Sequence, residues 1–134
     1  APMPITFKNN VLIEEFVGTD SPAPRLITSP PKDVKKFFSE VIRNISLLYS
    51  KKMTHGDLSA FNILNYNEKP VFIDFSNSTL DSSPIFEELF LRDVTVVVND
   101  FIKLGLKLDI AQVIYNIKRA SPKNENKKSK KQLR

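Results

Sequence analysis

Between Val34 and Tyr49 the apolar side chains Val34, Phe37, Phe38, Val41, Ile42, Ile45, Leu48 and Tyr49 recur at intervals of three and four. That period puts them on one face of a helix of about five turns. Ser29 followed by Pro30 predicts its start, with Ser as cap and Pro at the first helical position. A second long helix is predicted from Ser83-Pro84 to about Leu104, carried by Ile85, Leu89, Val94, Val97, Val98, Phe101 and Ile102 and stopped by Gly105. Its β-branched middle, Thr95 to Val98, works against helix propensity. Asp109 can cap a last helix from Ile110 to about Ala120, apolar at Ile110, Val113, Ile114 and Ile117.

The other apolar runs are short and bounded by turn formers. Residues 11–17, after Asn9-Asn10 and before Gly18, read as a strand, so residues 1–18 form a hairpin with an extended lead. Residues 19–31 hold four prolines and read as a connector on the surface. Ile63-Leu64 and residues 71–73 flank the turn-forming stretch 65–70 and make a second hairpin, and residues 75–83 read as loop. The pattern predicts an α+β fold, mainly helical with short β-hairpins.

Composition adds bounds. Of 134 residues, 41% are hydrophobic and 26% charged, as in ordinary globular chains. There is no cysteine, which excludes disulfides and thiolate metal sites and agrees with a reducing compartment. With no apolar run of membrane length and no signal-peptide pattern, a cytoplasmic protein without a membrane partner is expected. The net charge of +5 is uneven: from Lys118 to Arg134 eight Lys and Arg face one acid, leaving 12 basic and 14 acidic residues elsewhere. Residues 121–134 read as a basic, disordered tail.

Candidate chemistry lies between His55 and Asp74. Asp57, Asn62 and Asp74 supply two carboxylates and an amide, the types of group that magnesium-dependent phosphoryl transfer needs. Asp57 can orient the nucleophile's proton. Asn62, where one strand begins, and Asp74, where the other ends, would meet at one end of an antiparallel hairpin and share a Mg²⁺ ion. The bland alternative is a surface turn with incidental Asp and Asn.

Four stretches resemble a RIO-family atypical protein kinase, most closely its first subfamily. They are residues 11–18 with the following Pro-Ala-Pro, residues 55–62 (His-Gly-Asp-Leu-Ser-Ala-Phe-Asn), residues 73–76 (Ile-Asp-Phe-Ser), and residues 91–94 with 99–101. The resemblance covers residues 1 to about 120. It implies a protein-kinase-like C-terminal lobe at residues 19–120. Residues 1–18 would be the last strands of an N-terminal lobe and its hinge, with most of that lobe missing from this chain.

By the same resemblance Asp57 is the catalytic aspartate, Asn62 and Asp74 are metal ligands, and the backbone from Glu15 to Val17 receives the adenine of ATP. Leu64 and Ile73 would lie beneath the base, and Asp74 is implicated as a phosphoryl acceptor. His55 reads as a residue that orients the loop rather than a base. Glu14 departs from the apolar residue usual before the hinge.

The chain's three glycines, at 18, 56 and 105, allow no Gly-rich phosphate loop, and Lys8 stands too near the hinge to pair phosphates. The 134 residues alone are therefore expected to be inactive. The implied work is that of an ATP-dependent kinase or ATPase in maturation of the small ribosomal subunit, with pre-ribosomal protein and rRNA as partners. The competing expectation is a non-catalytic module that binds RNA or protein through the lobe and its tail.

Overall fold

The computed structural model describes residues 23–120. The strand expected at 11–17, the hinge residues Glu15 and Val17, and the tail at 121–134 lie outside the described residues.

Helix α1 spans Val34–Ser50 and begins later than Ser29-Pro30 predicts. Pro31 keeps Pro30 out of the helical region, so no helix can start there. Residues 25–29 form a turn instead, in which Thr28 and Ser29 N–H donate to Arg25 O at 3.0 and 2.9 Å. The cap is Asp33, whose carboxylate accepts from Lys36 N–H at 3.0 Å.

Residues 23–31 are also more than a surface connector. An isolated antiparallel bridge joins Arg25 to Leu64, Leu26 N–H donates to Ile63 O at 2.8 Å, and Leu26 is buried. The free edge of the neighbouring strand needs partners, and this segment supplies them.

After α1 come strands β1 (Met53–Thr54), β2 (Ile63–Tyr66) and β3 (Lys69–Phe72). β2 and β3 pair antiparallel with Ile63 opposite Phe72 and Tyr66 opposite Lys69. Their turn is narrower than residues 65–70: only Asn67 and Glu68 lie outside the strands, at φ 51° and 72°, as a two-residue hairpin turn with both φ positive requires. Pro70 fits within β3 because its partner Asn65 sends its N–H outward to Pro24 O, at 2.8 Å. The pair is therefore not a hydrogen-bonded one, and no ladder bond is lost at the proline.

The stretch predicted as loop, residues 75–83, is partly ordered. Phe75–Asn77 is a short 3-10 helix and β4 (Thr79–Leu80) pairs antiparallel with β1, Thr54 opposite Thr79. A two-residue strand has too few apolar positions to betray itself by periodicity.

Helix α2 spans Phe86–Lys103, three residues beyond the expected Ser83 cap. Ser83 instead closes the preceding turn, its carbonyl accepting from Phe86 N–H at 3.1 Å. The β-branched middle stays helical because Val94, Val97 and Val98 are fully buried, and burial outweighs propensity. Gly105, at φ 109°, ends the helix as expected. Helix α3 spans Ile110–Arg119, capped by Asp109 through Ala111 N–H at 3.0 Å.

The three helices share one core, in which the Phe101 ring of α2 lies 6.1 Å from that of Phe37 and 5.0 Å from that of Phe38, both on α1. Among the described residues the architecture is α+β, three helices with small antiparallel strand pairs. No helix among the described residues is long and apolar enough to cross a membrane.

Candidate active site

The loop from His55 to Asn62 runs between β1 and β2 across the face of α2, and its backbone is held almost amide by amide. Asp93 of α2, nearly fully buried, accepts from Gly56 N–H at 2.8 Å, Leu58 N–H at 3.0 Å and the Thr54 hydroxyl at 2.8 Å. Two helical turns on, Asp100 accepts from Ala60 N–H at 2.9 Å. Arg92 Nη1 reaches Gly56 O at 3.4 Å.

The remaining bonds are internal. Phe61 N–H donates to Ser59 Oγ at 3.1 Å and Asn62 N–H to Ser59 O at 2.9 Å. Asp57 N–H donates to His55 Nδ1 at 3.1 Å. That bond leaves the ring proton on Nε2, which donates to Ile73 O at 2.8 Å. Both nitrogens of the buried His55 are thus occupied by backbone, so the residue fastens the loop to the end of the hairpin.

Asp57 is half-buried between these anchors. The Asn62 side-chain amide donates to Asp57 O at 2.8 Å, and Ile73 N–H donates to Asn62 O at 3.0 Å. Asp57, Asn62 and Ile73-Asp74 therefore meet at the open end of the β2–β3 hairpin, the end at which antiparallel pairing should place them. Asp74 is exposed and left-handed, at φ 63° and ψ 66°, and its Oδ1 accepts from the Ser76 hydroxyl at 2.8 Å.

The following 3-10 turn leans on Gly56. A Cβ built there would lie 2.1 Å from Asn77 O, and Gly56 has φ +91°, so glycine is needed both for the backbone angle and for the close approach.

The donor set suits a small hard cation. Because Asn62 commits its nitrogen to Asp57 O, its oxygen is the end left for a metal, and Asp74 adds an exposed carboxylate. Among the described residues no three His, Cys, Asp or Glu gather as a cage. One amide oxygen and one carboxylate are hard oxygen donors of the kind that Mg²⁺ accepts. Leu64 and Ile73, expected beneath the base, lie in one small apolar cluster with Val71 and Ala23, apart from the main core.

The sequence reading picked out residues 91–94 and 99–101 but gave Asp93 and Asp100 no part in holding the loop. Asp93 and Asp100 stand seven apart on α2, among buried Phe90, Val94, Val97 and Phe101. An acid on an apolar helical face needs donors from a neighbour, and that signal was open to reading. Glu68 had no such signal. From the hairpin turn it accepts from Lys32 N–H at 2.9 and 3.1 Å and Asp33 N–H at 3.3 Å, fixing the entry to α1.

The RIO domain profile matches residues 1–113. The chain is 38% identical over 96 residues to the RIO-type serine/threonine-protein kinase Rio1 of Methanocaldococcus jannaschii, covering 70% of this chain and 33% of that protein. It is 34% identical over 123 residues to the protein of the same name from Thermoplasma acidophilum, covering 89% of this chain and 63% of the relative. To the serine/threonine-protein kinase RIO1 of Saccharomyces cerevisiae it is 31% identical over 121 residues, 86% of this chain and 25% of that one. The chain thus spans between a quarter and two thirds of the length of these relatives. The profile match over most of the chain, together with the loop and hairpin that hold Asp57, Asn62 and Asp74, leads to one conclusion: the chain belongs to the RIO kinase family.

Proposed function

We propose that these residues form the catalytic lobe of a RIO-type serine/threonine kinase or ATPase that transfers the γ-phosphoryl group of ATP with magnesium. The observation that carries this reading is that the bonds Asn62 Nδ2 to Asp57 O and Ile73 N to Asn62 O tie Asp57 and Asn62 to the residue just before Asp74. When bound, Mg²⁺ would supply charge neutralisation at the phosphates. Asn62 Oδ1 and the Asp74 carboxylate would hold it. Asp57 orients the attacking hydroxyl or water and accepts its proton. The α2 carboxylates keep Asp57 in place before substrate arrives, the kind of positioning on which phosphoryl transfer chiefly depends. Leu64 and Ile73 offer apolar surface to the base, and the Glu15 to Val17 backbone receives its polar edge.

The acceptor follows from what is short. Only residues 75–83 separate Asp74 from Pro84, too few for the platform on which ordinary protein kinases seat a peptide, and Gly56 replaces the arginine that gathers a phosphorylated loop. We therefore expect autophosphorylation, an acyl phosphate on Asp74, or ATP hydrolysis coupled to a partner. A partner in small-subunit ribosome maturation is the biological setting of this reading.

The test uses the full gene product with labelled ATP and a degenerate peptide library, followed by hydroxylamine, which cleaves acyl phosphates and leaves phosphoserine. Asp57→Ala should abolish transfer and spare nucleotide binding, while Asn62→Ala and Asp74→Ala also weaken the magnesium dependence of that binding. Efficient, sequence-selective peptide phosphorylation with no hydroxylamine-labile label would refute the acceptor argument. RNA or protein binding with no turnover under any condition would favour the non-catalytic module.

A further inference from the structure

Ser76 stands two residues beyond Asp74 in the 3-10 turn, and its hydroxyl donates to Asp74 Oδ1 at 2.8 Å. Both residues are exposed, so the bond is no product of core packing, and Ser76 has no role in the assignments above. The carboxylate is thereby divided. Oδ1 accepts the Ser76 O–H, and Oδ2 has no protein partner among the hydrogen bonds of the described residues.

We propose that Ser76 is a positioning residue that makes Asp74 a one-oxygen ligand and so selects Mg²⁺ against Ca²⁺. This rests on the reading of Asp74 as a metal ligand. Mg²⁺ takes near-ideal octahedral geometry at short distances and keeps much of its water, for which a single carboxylate oxygen suffices. Ca²⁺ is larger, takes more ligands and readily uses both oxygens of one carboxylate. A bidentate cation at Asp74 has to share Oδ1 with the Ser76 proton or displace it, and a hydrogen bond to a charged acceptor resists displacement. Two features keep the hydroxyl within reach. The left-handed backbone at Asp74 turns the chain sharply into the 3-10 helix, and the approach of Asn77 to Gly56 holds that turn against the loop.

The experiment measures binding of a fluorescent ATP analogue to the full gene product, titrated separately with Mg²⁺ and Ca²⁺, so the readout is affinity and not turnover. Ser76→Ala should lower the Ca²⁺ midpoint about tenfold relative to the Mg²⁺ midpoint, the scale of one charge-assisted hydrogen bond. Ser76→Thr keeps a hydroxyl and should keep the wild-type ratio. A Ser76→Ala ratio within about twofold of wild type, with magnesium dependence intact, overturns the proposal and leaves the proposed function standing. Nucleotide binding by the wild type with no dependence on either cation overturns both.

Discussion

The loop carrying Asp57 takes its hydrogen bonds from a helix distant in sequence, while the segment carrying Asp74 takes its own from a neighbouring hydroxyl. Asp93 and Asp100 reach across from α2 to four donors of the first segment and its lead-in strand, and Asp93 does so from the interior. Asp74 is exposed, sits in a left-handed turn, and is steadied by Ser76. The two segments meet at His55 and Ile73, at Gly56 and Asn77, and at the β1–β4 pair. The loop carrying Asp57 is thus built as part of the core. The segment carrying Asp74 is exposed at Asp74 and Ser76 and is tied to the loop at Ile73 and Asn77.

The most severe way to break this contrast is Asp93→Ala, which orphans two buried N–H groups and a hydroxyl. It should cost about 4 kcal/mol in denaturant unfolding, with Asp93→Asn recovering a large part. Asp74→Ala should leave stability within about 0.5 kcal/mol of wild type while removing transfer, because the side chain is exposed. Gly56→Ala strikes where the two segments meet, and its Cβ overlap with Asn77 O, at 2.1 Å, together with the positive φ should destabilise by about 3 kcal/mol. Asp100→Ala removes one partly buried bond and should cost about 1 kcal/mol, restored by Asp100→Asn.

The smallest effect involves Tyr49 and Lys118. Burial first, then Glu87 and Asp81 with Lys118 opposing, raises the Tyr49 phenol above its usual 10.0, and the bond to Glu87 raises Lys118 above its usual 10.5. A group whose pKa is higher in the folded chain holds its proton more tightly there. Its contribution is complete below the unfolded value and declines as pH rises through the folded one. Melting temperature, followed with rising pH, should therefore fall slightly above about pH 10.

The helical core was readable because its signal is long: sixteen residues at one period in α1, and an Asp cap for α3. The hairpin that joins Asn62 to Asp74 was readable because its two apolar runs bracket a turn. What escaped reading depends on contacts between distant residues. Nothing local shows that Leu26 adds an edge to β2, that Thr79-Leu80 pairs with β1, or that Glu68 holds the approach to α1. The helix starts were misplaced for a different reason. Ser-Pro is a cap signal, but at Ser29 a second proline cancels it, and at Ser83 the turn takes the serine first. Asp57, Asn62 and Asp74 could be named from residue type, whereas the donors that Asp93 and Asp100 accept from could be assigned only once α2 lay behind the loop.

Amide hydrogen exchange on the 134-residue chain tests most directly whether α2 holds the loop at residues 55–62 as part of the core. The amides of Gly56, Leu58 and Ala60 should exchange only through global unfolding, as slowly as those of Val94 and Val97, while those of Ser76 and Asn77 exchange at least about a hundredfold faster. Exchange of Gly56, Leu58 and Ala60 as fast as that of Ser76 and Asn77 would contradict the account.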